Sequence, residues 1–211
     1  MMGEARVTSI FAGSLSSVTV RGEEITSLPD YRICSRGIAR TYQNIRLFGK
    51  MTVLENVLIG RHCRTRSGFW ATLLRLPSER AENREGKRIA SDLLDFFHLE
   101  GKKEEKASAL AYGEERRLEI ARALATDPTL LLLDEPSAGM NSQEVKDLNE
   151  LILRVRKGGR TIFLIEHNMK VIMDICDRVA VLDFGEKIAE GVPEEVRENP
   201  RVIEAYLGKE A

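Results

Sequence analysis

Two short apolar runs that end in charged residues mark the C-terminal half of the chain. The first consists of four leucines, Leu130–Leu133, and runs into Asp134 and Glu135. The second, "TIFLI", stops before an acid and a histidine, and residues 143–156 between the two runs have the apolar spacing of a helix. Strand, helix and strand in this order predict a pair of buried parallel strands.

Helical spacing dominates the middle of the chain, from about residue 53 to residue 125. The charged segment 101–108, which begins with glycine, is interpreted as a solvated loop within it. We therefore predict a mainly helical lobe over residues 53–125. Its apolar residues form two stripes, one of Phe69, Trp70, Leu73 and Leu74 and one of Ile89, Leu93, Leu94 and Phe97.

The two ends of the chain have weaker patterns. Residues 7–15, "VTSIFAGSL", are interpreted as the end of a helix, and the alternation in residues 18–25 predicts a strand that enters a loop. Residues 177–191 predict a strand and a hairpin with Phe184–Gly185 near the turn. The last segment, Pro193–Gly208, has the start and end signals of a helix.

Composition restricts the class of protein. The 211 residues are 43% hydrophobic and 31% charged, which fits one globular domain, or one domain with a subdomain. A formal net charge of −1, with both signs interspersed, provides no electrostatic basis for binding nucleic acid. No apolar run approaches the ~18 residues of a spanning helix. Three cysteines without Cys-x-x-Cys spacing predict reduced thiols rather than disulfides or a zinc cluster.

The acids that follow the four leucines are the first candidates for chemistry. In open α/β sheets, functional groups gather beyond the carboxyl ends of the strands. There Asp134 can lie near a divalent cation, and Glu135 can orient a water for attack on a phosphoryl group. The alternative is a strand that ends in polar residues at the surface. The number of agreeing positions in "LLLLDEP" favours the functional interpretation.

Three weaker features gain meaning beside those acids. His167 follows the next strand and can hydrogen-bond a terminal phosphate, although a single histidine there is more often a surface or core residue. Tyr112, Gly113 and Glu114 lie at a predicted helix N-terminus, whose free N–H groups attract anions; a plain amphipathic helix shares this property. Gln43 lies in a polar break after a probable strand, where a glutamine alone has no special role.

Together these features resemble the nucleotide-binding subunit of ABC transporters from about residue 18 onward. The resemblance implies ATP and Mg²⁺ as cofactors, and membrane permease subunits and a second ATPase subunit as partners. "LLLLDEP" resembles the Walker B strand, which implies Asp134 for the Mg²⁺ shell and Glu135 as the base that polarises water. Gln43 resembles the Q-loop residue that contacts the metal and the membrane partner, and His167 resembles the switch histidine.

The signature segment, which we define as Tyr112–Glu114, departs from the common form of the family. It stands where Leu-Ser-Gly-Gly-Gln is expected, and only Gly113 carries over directly. The resemblance implies that this segment caps the ATP held by the other subunit of a head-to-tail homodimer or heterodimer. Ser137–Asn141 resembles the D-loop. Tyr-Gly in the signature and Ala-Gly-Met-Asn in the D-loop are similar to the ATPases of branched-chain amino acid importers.

The resemblance also implies the fold class and the domain organisation. We expect an α/β protein, an incomplete P-loop NTPase core with a parallel sheet plus a helical subdomain. Residues 1–52 would form part of the core with Gln43, 53–125 the helical subdomain with the signature, and 126–211 the rest of the core with the C-terminal hairpin and helix. We expect a cytoplasmic protein held on the inner face of the membrane by the permease.

One element of such a site is absent from the sequence. A P-loop requires Gly-x-x-x-x-Gly-Lys-Ser/Thr after a strand, and the Gly-Lys pairs at Gly49, Gly86, Gly101 and Gly208 are followed by Met, Arg, Lys and Glu. We therefore expect a chain that starts just downstream of the P-loop and that binds and hydrolyses ATP poorly alone. One alternative is a non-catalytic remnant that docks on a permease or a partner ATPase subunit. Another, an ABC ATPase of translation or DNA repair, predicts tandem cassettes or a long coiled coil, and the sequence has neither.

Overall fold

The computed structural model describes residues 7–9, 17–20, 22–64 and 77–207. It divides the chain into two compact units, Met1–Pro136 with Arg154–Ile165 and Ser137–Leu153 with Glu166–Ala211. The strands are β1 (Val7–Ser9), β2 (Val18–Val20), β3 (Glu23–Glu24), β4 (Ile38–Arg40), β5 (Leu130–Asp134), β6 (Thr161–Ile165), β7 (Val179–Asp183) and β8 (Glu186–Gly191). The helices are α1 (Asp30–Ser35), α2 (Val53–Arg61), α3 (Pro77–Phe96), α4 (Tyr112–Ala125), α5 (Ser142–Lys157), α6 (Met169–Ile175), α7 (Pro193–Arg197) and α8 (Pro200–Leu207). The boundaries predicted at residues 52 and 125, between the ATPase core and the helical subdomain, stay a prediction.

A parallel sheet in the order β4, β5, β6 forms the centre of the first unit. Leu130 of β5 lies opposite Ile38 on one side and Thr161 on the other. Leu130, Leu131 and Leu133 are buried, as expected for a central strand covered on both faces. The two strands, their parallel pairing and the intervening helix are therefore confirmed. The predicted burial holds for β5 but is wrong for β6, where Phe163 and Ile165 are exposed.

The predicted helices of the middle region are present as α2, α3 and α4, and two short 3₁₀ turns lie between α3 and α4. Thr52 caps α2: its hydroxyl accepts the Glu55 N–H, and the Glu55 carboxylate accepts the Thr52 N–H. The side chains of Val57, Leu94, Phe97 and Leu118 are fully buried and form part of the core. Leu94 and Phe97 belong to the second predicted stripe, whereas the stripe at residues 69–74 lies outside the described residues.

At the N-terminal end, the structure contradicts the predicted end of a helix at residues 7–15. Val7–Ser9 is a β-strand that pairs antiparallel with Val18–Val20, and residues 10–15 lie outside the described part. Val7 and Thr8 are β-branched and favour a strand where a partner strand is available. Val18–Val20 is a strand, as predicted, but the expected loop contains a second short strand, Glu23–Glu24, which pairs with it antiparallel.

The C-terminal hairpin is confirmed in the second unit. Strands β7 and β8 pair antiparallel, and Phe184 and Gly185 form the turn, with φ angles of 45° and 83°. The single helix predicted over Pro193–Gly208 is wrong, because the chain forms two helices, α7 and α8. Pro200 explains the break: proline has no N–H to donate, and it disfavours a helical conformation at the preceding residue.

Two cysteines that are distant in sequence lie close together in the first unit. The Cys63 thiol donates to the Gly60 carbonyl at 3.5 Å. Partial withdrawal of the Cys63 sulfur from water, together with the neighbouring Cys34 thiol, raises its pKa to about 11. The thiol is therefore protonated at neutral pH. All three cysteines lie within the described residues and are thiols rather than disulfides, as predicted.

None of the helices in the described residues is long and apolar enough to cross a membrane.

The close approach of α2 to α4 depends on a glycine. A Cβ added at Gly60 would fall well inside contact distance of the Arg122 carbonyl oxygen in α4. The clash is with a backbone atom, which cannot shift without a loss of stability. We predict that Gly60→Ala lowers the free energy of unfolding by about 1–3 kcal/mol, measured by urea denaturation.

Gly86→Ala in α3 is the matched control. Its Cβ would meet only the Leu58 side chain at 4.0 Å. Because alanine is the better helix former, this variant should gain up to about 1 kcal/mol. Equal stability of Gly60→Ala and wild type would contradict the close approach.

Candidate functional site

The register of the parallel sheet places the chain after β4 beside the end of β5. The Thr41 N–H donates to the Leu132 carbonyl at 2.9 Å. The buried Thr41 hydroxyl in turn accepts the Asp134 N–H at 3.4 Å. Residues 40–43 are thereby brought alongside Asp134 and Glu135. We call these two acids the carboxyl edge.

Asp134, the first acid of the carboxyl edge, is held by an arginine. The Arg40 guanidinium donates from Nη2 to Asp134 Oδ2 at 2.8 Å, and the same guanidinium lies 5.3 Å from the centre of the Tyr42 ring. The Asp134 side chain is 18% exposed, so this pair is sheltered on the aspartate side. Arg40 is not among the residues predicted from the sequence, although its place at the end of a predicted strand was a usable signal.

Glu135, the second acid, contacts the glutamine predicted for the same site. Gln43 Nε2 donates to Glu135 Oε2 at 2.9 Å. Glu135 has a φ of 45°, a left-handed conformation that costs a residue with a side chain about 1–3 kcal/mol. Its N–H donates to the Ile165 carbonyl of β6 at 2.9 Å, which helps to hold this conformation. The structure thus brings Gln43, Asp134 and Glu135 together within one unit.

The signature segment lies at the start of α4, as predicted. Gly113 is buried and Tyr112 is exposed. The Glu114 carboxylate turns back over the helix end, where Oε2 accepts the Ala111 N–H at 3.1 Å and Lys102 Nζ at 2.8 Å. The bond from Lys102 is the main cause that lowers the pKa of Glu114. The Glu114 carboxylate therefore neutralises part of the positive partial charge at the N-terminus of α4.

His167 belongs to the second unit and lies in the segment that leads into α6. It is exposed, and the neighbouring Asn168 caps α6 by accepting the Lys170 N–H at 3.1 Å. On its other side, Glu166 Oε1 accepts the Ser137 N–H at 3.0 Å and the Ser137 hydroxyl at 2.6 Å. This joins the start of the predicted D-loop to the histidine segment. That His167 shares a site with the two acids stays a prediction.

The carboxyl edge has the donor chemistry for Mg²⁺ without forming a closed metal site. Carboxylate oxygens are the ligands that Mg²⁺ prefers, and it commonly takes only one or two of them together with water and phosphate oxygens. In the described residues, no group of three or more His, Cys, Asp or Glu side chains could hold a metal ion. The Asp134 carboxylate supplies oxygen donors of the kind that Mg²⁺ takes beside water and phosphate.

Comparisons with known proteins agree with these features. The ABC transporter family model matches residues 6–138, and the model of the branched-chain amino acid ATP-binding cassette transporter family matches residues 186–211. The high-affinity branched-chain amino acid transport ATP-binding protein BraF of Pseudomonas aeruginosa is 42% identical over 204 residues, 96% of this chain and 80% of its own length. The protein LivG of Escherichia coli strain K12, with the same description, has the same identity and coverage.

A solved structure gives the corresponding result for the fold. The ADP conformation of an ATP-binding cassette of an ABC transporter superposes with a TM-score of 0.75 at 29% identity, over 92% of this chain and 78% of that chain. The expected α/β P-loop NTPase fold with a parallel sheet is thereby confirmed. With a family match over residues 6–138 and 42% identity across 96% of its length, the chain belongs to the ABC transporter family, in the group of branched-chain amino acid ATP-binding cassettes.

Proposed function

We propose that this chain is the ATP-binding subunit of an importer and that it energises the uptake of branched-chain amino acids. The observation that carries the ATPase part is the grouping of Gln43, Asp134 and Glu135 at the end of β5 in a chain of this family. The substrate is taken from the descriptions of BraF and LivG, each 42% identical to this chain.

The carboxyl edge supplies the groups for phosphoryl transfer to water. Glu135 orients the attacking water and accepts its proton, and Gln43 holds one oxygen of that carboxylate in place. Asp134 would hold Mg²⁺ through a carboxylate oxygen, and the ion would neutralise phosphate charge there. His167 hydrogen-bonds the terminal phosphate. Glu135 and Gln43 act in this way only where ATP phosphates are held beside them. The 211-residue chain, whose sequence contains no P-loop, contributes to hydrolysis through its signature segment.

The partners follow from the same family. Two ATPase subunits, identical or related, pair head to tail, so that the signature segment of one caps the ATP held by the other. Membrane permease subunits hold this pair on the inner, cytoplasmic face of the membrane. The Gln43 loop, defined as residues 41–48, is the part of this chain that meets the permease.

The 211-residue chain on its own binds ATP weakly in this proposal. Its sequence contains no Gly-x-x-x-x-Gly-Lys-Ser/Thr segment to cradle the phosphates. We predict no saturable binding of a fluorescent ATP analogue with Mg²⁺ at low micromolar concentration, measured by anisotropy. Escherichia coli LivG is the positive control, and saturable binding by the 211-residue chain in that range would contradict the prediction.

In an assembly with a permease and a second ATPase subunit, this chain acts through its signature segment on the partner's ATP. We predict that Gly113→Asp lowers the ATPase rate of the assembly at least about tenfold, because it places a carboxylate where phosphate charge develops. Glu135→Gln should change the rate less than about twofold, because the chain holds no ATP of its own beside that residue.

Gly101→Asp is the matched control, since Gly101 faces open space. Co-purification and thermal denaturation verify that each variant assembles and folds. If Gly113→Asp leaves the rate unchanged, the chain is a non-catalytic docking subunit, the second candidate function. A large loss with Glu135→Gln would instead mean that the 211-residue chain binds and hydrolyses its own ATP.

A further inference from the structure

A buried arginine of α4 contacts the backbone of the Gln43 loop. The Arg116 side chain is 3% exposed, and its guanidinium donates from Nη1 to the Tyr42 carbonyl at 3.0 Å and from Nη2 to the Gln43 carbonyl at 2.5 Å. Nη2 also donates to the Tyr112 hydroxyl at 3.1 Å. One side chain therefore contacts both the loop that carries Gln43 and the first residue of the signature segment.

Glu119, one helical turn further along α4, holds the next part of the same loop. Its side chain is 2% exposed, and Oε1 accepts the Arg46 N–H at 3.4 Å while Oε2 lies 3.4 Å from Arg116 Nη1. Burial of the carboxylate raises the pKa of Glu119, and the bonds to Arg46 and Arg116 oppose that rise. The pair thus spans residues 42–46 of the loop from a single face of the helix.

Other contacts secure the two ends of the Gln43 loop. Thr41 is bonded to β5, and at the far end the Phe48 N–H donates to Asn56 Oδ1 at 2.9 Å, while Asn56 Nδ2 donates to the Phe48 carbonyl at 3.2 Å. Neither of these anchors reaches Gln43 itself. The middle of the loop, where Gln43 lies, is held by Arg116 and Glu119.

Stability alone is a weak reason to bury such a pair. Two charges lose their hydration on burial, and apolar side chains of similar volume are often as stable in the same place. An apolar pair, however, could not bond the loop carbonyls. The contacts of Arg116 with Tyr42, Gln43 and Tyr112 are therefore better explained by what they position.

We propose that Arg116, supported by Glu119, is a positioning residue that couples the signature segment to the Gln43–Glu135 contact. Through its guanidinium, a shift of the first turn of α4 displaces the Gln43 backbone and hence the amide that holds Glu135. Contact of the signature segment with a partner subunit is thereby transmitted to the carboxyl edge of the same chain. The meaning for transport rests on the proposed function, but the coupling itself requires no nucleotide.

The test compares amide hydrogen exchange of the full chain in the absence of nucleotide. In the double variant Arg116→Met with Glu119→Leu, the two buried charges are removed together, which limits the loss of stability. Exchange of the amides of residues 43–46 should become at least tenfold faster, while the amides of residues 120–125 in α4 change less than twofold. General destabilisation would accelerate both segments alike, so this difference separates positioning from a structural role.

Arg116→Lys is the second variant, and it keeps the charge but not the two-pronged geometry. In this variant the amides of residues 43–46 should exchange faster than in wild type and more slowly than in the double variant, which is a partial rescue. Arg88→Met, which removes an exposed arginine of α3, should leave the loop unchanged. Wild-type exchange of residues 43–46 in both Arg116 variants would overturn the proposal, and it would do so without bearing on whether the assembly hydrolyses ATP.

Discussion

The backbone pairing of β5 with a parallel strand on each side is the interaction on which the candidate site depends. On one side, β4 ends in Arg40 and continues into Thr41, which is bonded to β5 through the Leu132 carbonyl. On the other, the Ile165 carbonyl of β6 accepts the N–H of Glu135 and helps to hold its left-handed backbone. Because parallel strands end at the same edge of a sheet, this register brings Arg40 and the start of the Gln43 loop to the two acids. A shift of one residue would turn the side chains to the opposite face.

Helix α4 adds a second level of organisation to the first unit. It carries the signature segment at its N-terminus, packs against α2 at Gly60, and inserts Arg116 under the Gln43 loop. The same helix therefore presents the segment proposed to meet a partner's nucleotide and supports the loop that contacts Glu135. In this way the sheet determines where the carboxyl edge lies, and α4 determines how the Gln43 loop approaches it.

Sequence patterns predicted the elements whose signals are local and strong. The leucines of β5, the spacing in α5 and the glycine turn between β7 and β8 each belong to one continuous segment. Val7–Ser9 was misassigned because a three-residue strand is determined by its partner, Val18–Val20, and not by its own composition. Arg116 was missed for a related reason. Within "GEERRLE" it has the pattern of a solvated helix face, and only the packing of the Gln43 loop buries it.

The contact between Gln43 and Glu135 tests this account most directly, because it joins residues 92 positions apart and depends on both the sheet register and the support of the Gln43 loop by α4. Nitrogen-15 NMR of the Gln43 side-chain amide in the full chain would report the bond. The account predicts a protected amide whose resonance shifts downfield, and a loss of both protection and shift in Glu135→Ala, with no such loss in Glu24→Ala. A Gln43 side-chain amide that exchanges freely and is unaffected by Glu135→Ala would contradict the arrangement of the site.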